Sequence, residues 1–131
     1  MKTFLSSIAY ILVVFPLALG WHVGLFKEQY ESFGYFAGEP NVFIGLLTIV
    51  IQGIALASIF PLFHTGSVGM VRAFQFSSLM GIFFWTSHVL AFVAKQNVPN
   101  AGGFVLLETG YLALQFGIYA FLLSLIYRAE I

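Results

Sequence analysis

Apolar positions come in four long runs separated by three short polar stretches. The runs cover residues 4–26, 42–63, 71–94 and 104–127, and each reaches the roughly 20 apolar residues needed to cross a bilayer as a helix. Lysine and arginine occur only near their ends, at Lys2, Lys27, Arg72, Lys95 and Arg128. A segment in hydrocarbon must satisfy its own backbone hydrogen bonds, so the runs are helices rather than open strands. The predicted fold is an all-α membrane protein, a four-transmembrane-helix antiparallel bundle forming one domain over residues 1–131. Pro40 suits the opening turn of the second helix, and Pro16 and Pro61 are expected to kink the first and second.

Composition strengthens this picture. Hydrophobic residues make up 60% of the 131-residue chain and charged residues only 8%, with a mean hydropathy of +0.98; soluble domains carry about 25% charged residues. Five basic residues balance five glutamates, leaving no patch able to neutralise a run of phosphates, so nucleic-acid binding is excluded as a function class. With no cysteine, disulfide exchange and thiolate metal sites are excluded too. Four spans put both termini on one side. Lys2, Arg72 and Arg128 against Lys27 and Lys95 make that side cytoplasmic by the positive-inside rule. A rival reading of the first run is a signal peptide cut after Ala18-Leu19-Gly20, although the apolar pattern continues through Trp21, Val23 and Phe26. The aromatics of the segment after it, Tyr30, Phe33, Tyr35 and Phe36, are expected to lie along the outer surface at headgroup level.

Between helices in lipid there is no hydrophobic drive to associate, so small and polar residues mark the contacts. Each run carries such a stripe at helical spacing. These are Ser7, Ile11, Phe15, Ala18 and His22; Gly45, Thr48, Gln52 and Ala55; Ser77, Gly81, Trp85 and His88; and Glu108, Tyr111, Gln115 and Tyr119. They predict one common interior.

Three of these residues are ionisable. At 1.5 Å per residue, His22 lies about 7 Å before Lys27, His88 about 10 Å before Lys95, and Glu108 about 7 Å past Gly103. All three therefore fall at similar depth in the outer half of the membrane, on three helices. An ionisable group at depth costs roughly 2.5 kcal/mol or more near a helix centre, and convergence offsets that cost. His22, His88 and Glu108 are thus candidates for a proton- or ligand-binding site that Tyr111, Gln52 and Gln115 extend inward. Two imidazoles and a carboxylate also form a ligand set for a divalent metal, and the two histidines one for haem iron. The bland reading is a hydrogen-bonded cluster that fixes the bundle, with Trp21, Trp85 and Tyr111 as interface anchors. His64, in the HTGSVGM turn, is assigned no role. No sequence signature of hydrolase, metalloprotease or nucleotide-binding chemistry is present, and an enzyme is the lesser expectation.

With GWHVGLF, QGIALASIFPLF, FFWTSHVLAFVAK and FVLLETGYLALQF set out, the chain resembles a group of small four-span bacterial inner-membrane proteins of uncharacterised activity. More loosely, in length and hydropathy, it is similar to the small four-span subunits of the DoxX type associated with oxidoreductases. The first resemblance implies a four-helix membrane fold and no functional residues. The expectations taken forward are a small carrier or ligand-binding protein of the bacterial inner membrane, or an accessory subunit of a redox complex binding haem, metal or quinone, or a structural protein without a site. Partners expected are the lipid bilayer, a small-molecule ligand, and a second copy or another subunit, since four helices enclose little room for a transport path.

Overall fold

The computed structural model describes residues 1–63 and 69–128. His64 and most of the HTGSVGM turn lie outside the described residues. Four long helices carry the chain: α1 (Lys2–Leu25), α3 (Val42–Phe63), α4 (Met70–Lys95) and α5 (Ala101–Ile126), each long and apolar enough to span a bilayer. A short α2 (Lys27–Ser32) follows α1. The protein is an all-α integral membrane protein with the spans where hydropathy placed them, within about one turn. The Lys2 ammonium sits 5.5 Å from the Tyr127 ring, so both termini are at one end of the bundle, here the terminal end.

Local chemistry sets the helix ends. Asn41, not Pro40, caps α3, its side chain accepting from the Ile44 amide at 3.1 Å. Pro40 precedes the cap. Asn100 caps α5 from a left-handed conformation (φ 53°), one asparagine tolerates better than most residues. Pro61 falls in a tight 3₁₀ turn, Phe60–Phe63, that ends α3, as a missing amide donor should.

α1 packs on both α3 and α5, and α5 packs on α4; α3 and α4 share no comparable seam. The order around the bundle is therefore α3, α1, α5, α4, with an open side between first and last. α5 is central: 44% of its apolar window is buried, against 17–22% for the other three. The α1–α3 seam depends on Gly53, where an added Cβ would lie 3.1 Å from the Tyr10 ring and 3.3 Å from the Ser7 carbonyl. Small residues permit this close approach in lipid. At the terminal end, Phe60 meets Phe76 and Tyr127, both with ring centroids at 4.9 Å, so α3 and α4 are joined there by aromatic packing. The gap between them lies toward the α2 end.

The segment between α1 and α3 departs from expectation. Tyr30 is fully buried and Phe33 nearly so; these two rings pack into the protein rather than along its outer surface. The chain after them turns back for a local reason. Gly34 (φ 71°) closes α2 with its amide donating to Glu31 and the Tyr35 amide donating to Tyr30, the paired bonds of a Schellman cap. The accompanying apolar contact is Tyr30 against Tyr35, centroids 5.2 Å apart. That turn folds Tyr35 back over the bundle.

Candidate functional site

Both intramembrane histidines sit in π-helical turns, His22 in Gly20–Leu25 and His88 in Thr86–Leu90. The wider turn shows in Phe26 N–H donating to Trp21 C=O at 3.0 Å and Ala91 N–H to Thr86 C=O, five residues back in each case. Around His88, the Thr86 hydroxyl bonds the Phe83 carbonyl at 2.8 Å and Ser87 bonds the Phe83 and Phe84 carbonyls at 3.1 Å. Such back-bonding loosens the regular ladder, and π turns inside α-helices concentrate at functional sites.

The three ionisable side chains meet. His22 Nε2 lies 2.9 and 3.1 Å from the two Glu108 carboxylate oxygens, and His88 Nε2 lies 3.6 Å from Oε2. Glu108 is fully buried, while the His88 side chain is 37% exposed. Tyr35 adds a fourth member, its hydroxyl 3.0 Å from His88 Nε2 and its ring stacked on His22 at 5.5 Å and 12°. Tyr30 and Tyr111 close around His22, each at 4.5 Å. Burial holds the Tyr30 and Tyr35 phenols above the ordinary tyrosine range, and the nearby Glu108 carboxylate adds to this, so both hydroxyls keep their protons.

The geometry fixes a proton count. His22 Nδ1 faces only the Ala18 carbonyl, at 3.0 Å. A carbonyl accepts and never donates, so Nδ1 carries a hydrogen. The Nε2–carboxylate contact then needs one further proton, held either on the ring as an ion pair or on Glu108, which would donate to the ring. Either way the pair is neutral overall. That is how a carboxyl group survives at a depth where an unpaired ion costs several kcal/mol.

Deeper in the bundle, Tyr10 links the two predicted glutamines. Its hydroxyl donates to Gln52 Oε1 at 2.9 Å and accepts from Gln115 Nε2 at 2.7 Å. Both networks face one cleft of about 230 Å³, whose wall includes His22, His88, Tyr111, Gln52 and Gln115. Glu108 lies behind it, bonded to His22. Tyr111 is not an interface anchor; it is 4% exposed and lines the cleft. Sequence patterning therefore brought five residues to one wall and a sixth directly behind it. It missed Tyr35 and Tyr10. The Gly34-Tyr35 pair, following Tyr30 at Schellman spacing, is the signal for the first. The second shares a helical face with Val14 and Ser6, one turn either side.

Two stripes need correction. On α3, Gly45 and Thr48 are exposed and Ala55 is exposed away from the cleft; the buried positions are Ile49, Gly53, Leu56 and Ala57. The polar stripe faces the cleft but is uncovered because no helix closes on it. On α4, Phe84 accompanies His88 in the cleft wall, whereas the Trp85 indole turns away and donates to Thr109 Oγ1 at 2.8 Å. The expected metal set of His22, His88 and Glu108 also fares differently. Among the described residues no group of three or more such ligands is arranged for a metal ion. For haem, both Nε2 atoms point at one carboxylate rather than at each other across an open slot.

Comparison with protein-family models, curated proteins and solved structures finds no match, so the site is read from its own chemistry.

Proposed function

We propose that this integral membrane protein binds a small ligand in the cleft with uptake or release of a proton at the His22–Glu108–His88 cluster. One observation carries this reading. A fully buried glutamate contacts two histidines from separate helices, one with both ring nitrogens engaged and one more than a third exposed. An intramembrane ionisable residue is functional by default, and a cluster needed only for packing has no reason to keep one imidazole open. His88 is the entry point, since of the two histidines in the cleft wall it is the more exposed, at 37% of its side chain against 11% for His22. A carrier function would use the same cycle, with the cleft as its binding step.

Titration calorimetry with hexanoate, in buffers of different ionisation enthalpy, tests this. The expected result is a nonzero proton count on binding that Glu108→Gln removes. A zero count in the wild type, or a count unchanged by Glu108→Gln, overturns the reading.

A further inference from the structure

We infer that the ligand of this cleft is a bilayer-dissolved amphiphile with an uncharged or singly charged oxygen head group, entering sideways between α3 and α4. This rests on the ligand-site reading above and goes further in naming the ligand class and the route.

The route follows from which walls exist. Tyr35, Phe36 and Pro40 cover the cleft at the α2 end. Phe60, Phe76 and Tyr127 pack across the terminal end. α1 and α5 form the back. The remaining side is the gap between α3 and α4, where Gly45 and Thr48 are exposed yet line the cleft. Their sequence neighbours Ile44 and Leu47 are 61% and 56% exposed, and on α4 Phe83, next to the cleft-lining Phe84, is 71% exposed. Apolar side chains of that size uncovered on spanning helices face lipid, so the gap opens onto hydrocarbon.

The ligand class follows from the groups left unengaged in the wall. Among the described residues, the Tyr111 hydroxyl, the Gln52 amide nitrogen, Gln115 Oε1 and His88 Nδ1 make no hydrogen bond within the chain. Together they offer donors and acceptors on the wall of one cleft. Among the described residues no lysine or arginine lines the cleft, and these are the usual partners of phosphate, so a phosphate head is disfavoured. A hydroxyl, carbonyl or carboxyl group matches the set. The rest of the wall is apolar, including Phe15, Leu19, Ile49 and Leu112. A volume of about 230 Å³ holds a head group and the first part of a chain, with the remainder left in the bilayer.

Gly45 supplies the test, because a Cβ added there meets nothing within 4 Å. A side chain can therefore start from that position without a clash at its Cβ, tryptophan is the bulkiest choice for blocking the gap, and replacing glycine also favours the helix. Gly117 is equally open but lines the opposite groove between α4 and α5, so Gly117→Trp is the control. Protein in phosphatidylcholine nanodiscs would be photolabelled with diazirine-bearing palmitic acid and, separately, with diazirine-bearing palmityl alcohol. The expected result is saturable labelling confined to residues 45–52 of α3 and 84–88 of α4 by at least one probe. Gly45→Trp should reduce it on the order of tenfold, equivalent to about 1.4 kcal/mol, and Gly117→Trp should leave it unchanged. Labelling by the acid alone, the alcohol alone or both would narrow the head group within the class. Labelling that does not saturate, spreads over all four spans, or ignores Gly45→Trp would overturn the inference. If hexanoate still binds with Glu108-dependent proton uptake while neither long-chain probe labels the cleft, lateral entry falls and the site reading stands. If hexanoate also fails, both fall.

Discussion

His22 and His88 have the same local setting and opposite surroundings. Each occupies a π turn near the α2 end of a spanning helix, and each directs Nε2 toward Glu108. His22 has both ring nitrogens engaged and three tyrosine rings around it. His88 has one nitrogen shared with Tyr35 and more than a third of its side chain open. Placement on a helix thus does not decide what a buried imidazole does; the number of its engaged atoms does. The first histidine makes the glutamate tolerable in lipid, and the second is the more open of the two at the cleft.

Breaking the sealed partner should cost most. His22→Leu leaves Glu108 buried beside an apolar side chain, and removing one partner of a buried pair costs about 3 kcal/mol, measurable by unfolding in mixed micelles. His22→Leu with Glu108→Leu should recover most of that loss, because replacing both partners with apolar groups is close to neutral; a double variant no more stable than the single one would mean that packing, not the unpaired carboxyl, sets the cost. His88→Leu should cost about 1 kcal/mol or less, as for other partly exposed ion pairs, yet abolish proton-linked hexanoate binding. Equal destabilisation by His22→Leu and His88→Leu would erase the distinction between the two. Tyr35→Phe keeps the ring stacked on His22 and loses one hydrogen bond, about 1 kcal/mol, with weakened ligand binding as the sharper readout.

A pH dependence, confined to strongly alkaline solution, completes the set. Tyr30 and Tyr35 have raised folded-state pKa values, against about 10 when unfolded. As pH climbs past 10 the unfolded chain loses these protons first. The folded state then binds more protons, and stability falls with rising pH. Their contribution is fully present below pH 10 and is lost above it. Phenolate absorbance should therefore appear together with unfolding. Free titration of all six tyrosines in the folded protein would contradict the burial of these two.

Much of this was legible in the sequence because depth in a membrane is counted in residues. A rise of 1.5 Å per residue put His22, His88 and Glu108 at one level, and helical spacing put them on inward stripes. What could not be read depends on the neighbours. The α3 stripe is correct in its periodicity, but whether Gly45 and Thr48 are covered depends on α4, which packs against α5 instead. Tyr30 and Phe33 look like surface aromatics yet are buried, and the Gly34 cap folds Tyr35 back against Tyr30. The π turns left only the faint signal of Thr86 and Ser87 beside His88, and residues of that kind occur in many regular helices.

The convergence itself can be measured. Dipolar recoupling between ¹⁵N-labelled imidazoles and the ¹³C-labelled Glu108 side-chain carboxyl, in protein reconstituted into lipid, reports the distance directly. His22→Leu and His88→Leu samples assign each signal. Strong coupling is expected to His22, matching contacts of 2.9 and 3.1 Å, with weaker coupling to His88, matching 3.6 Å. Absence of coupling to either imidazole would mean that the three side chains stand apart in the bilayer, and the site would not exist.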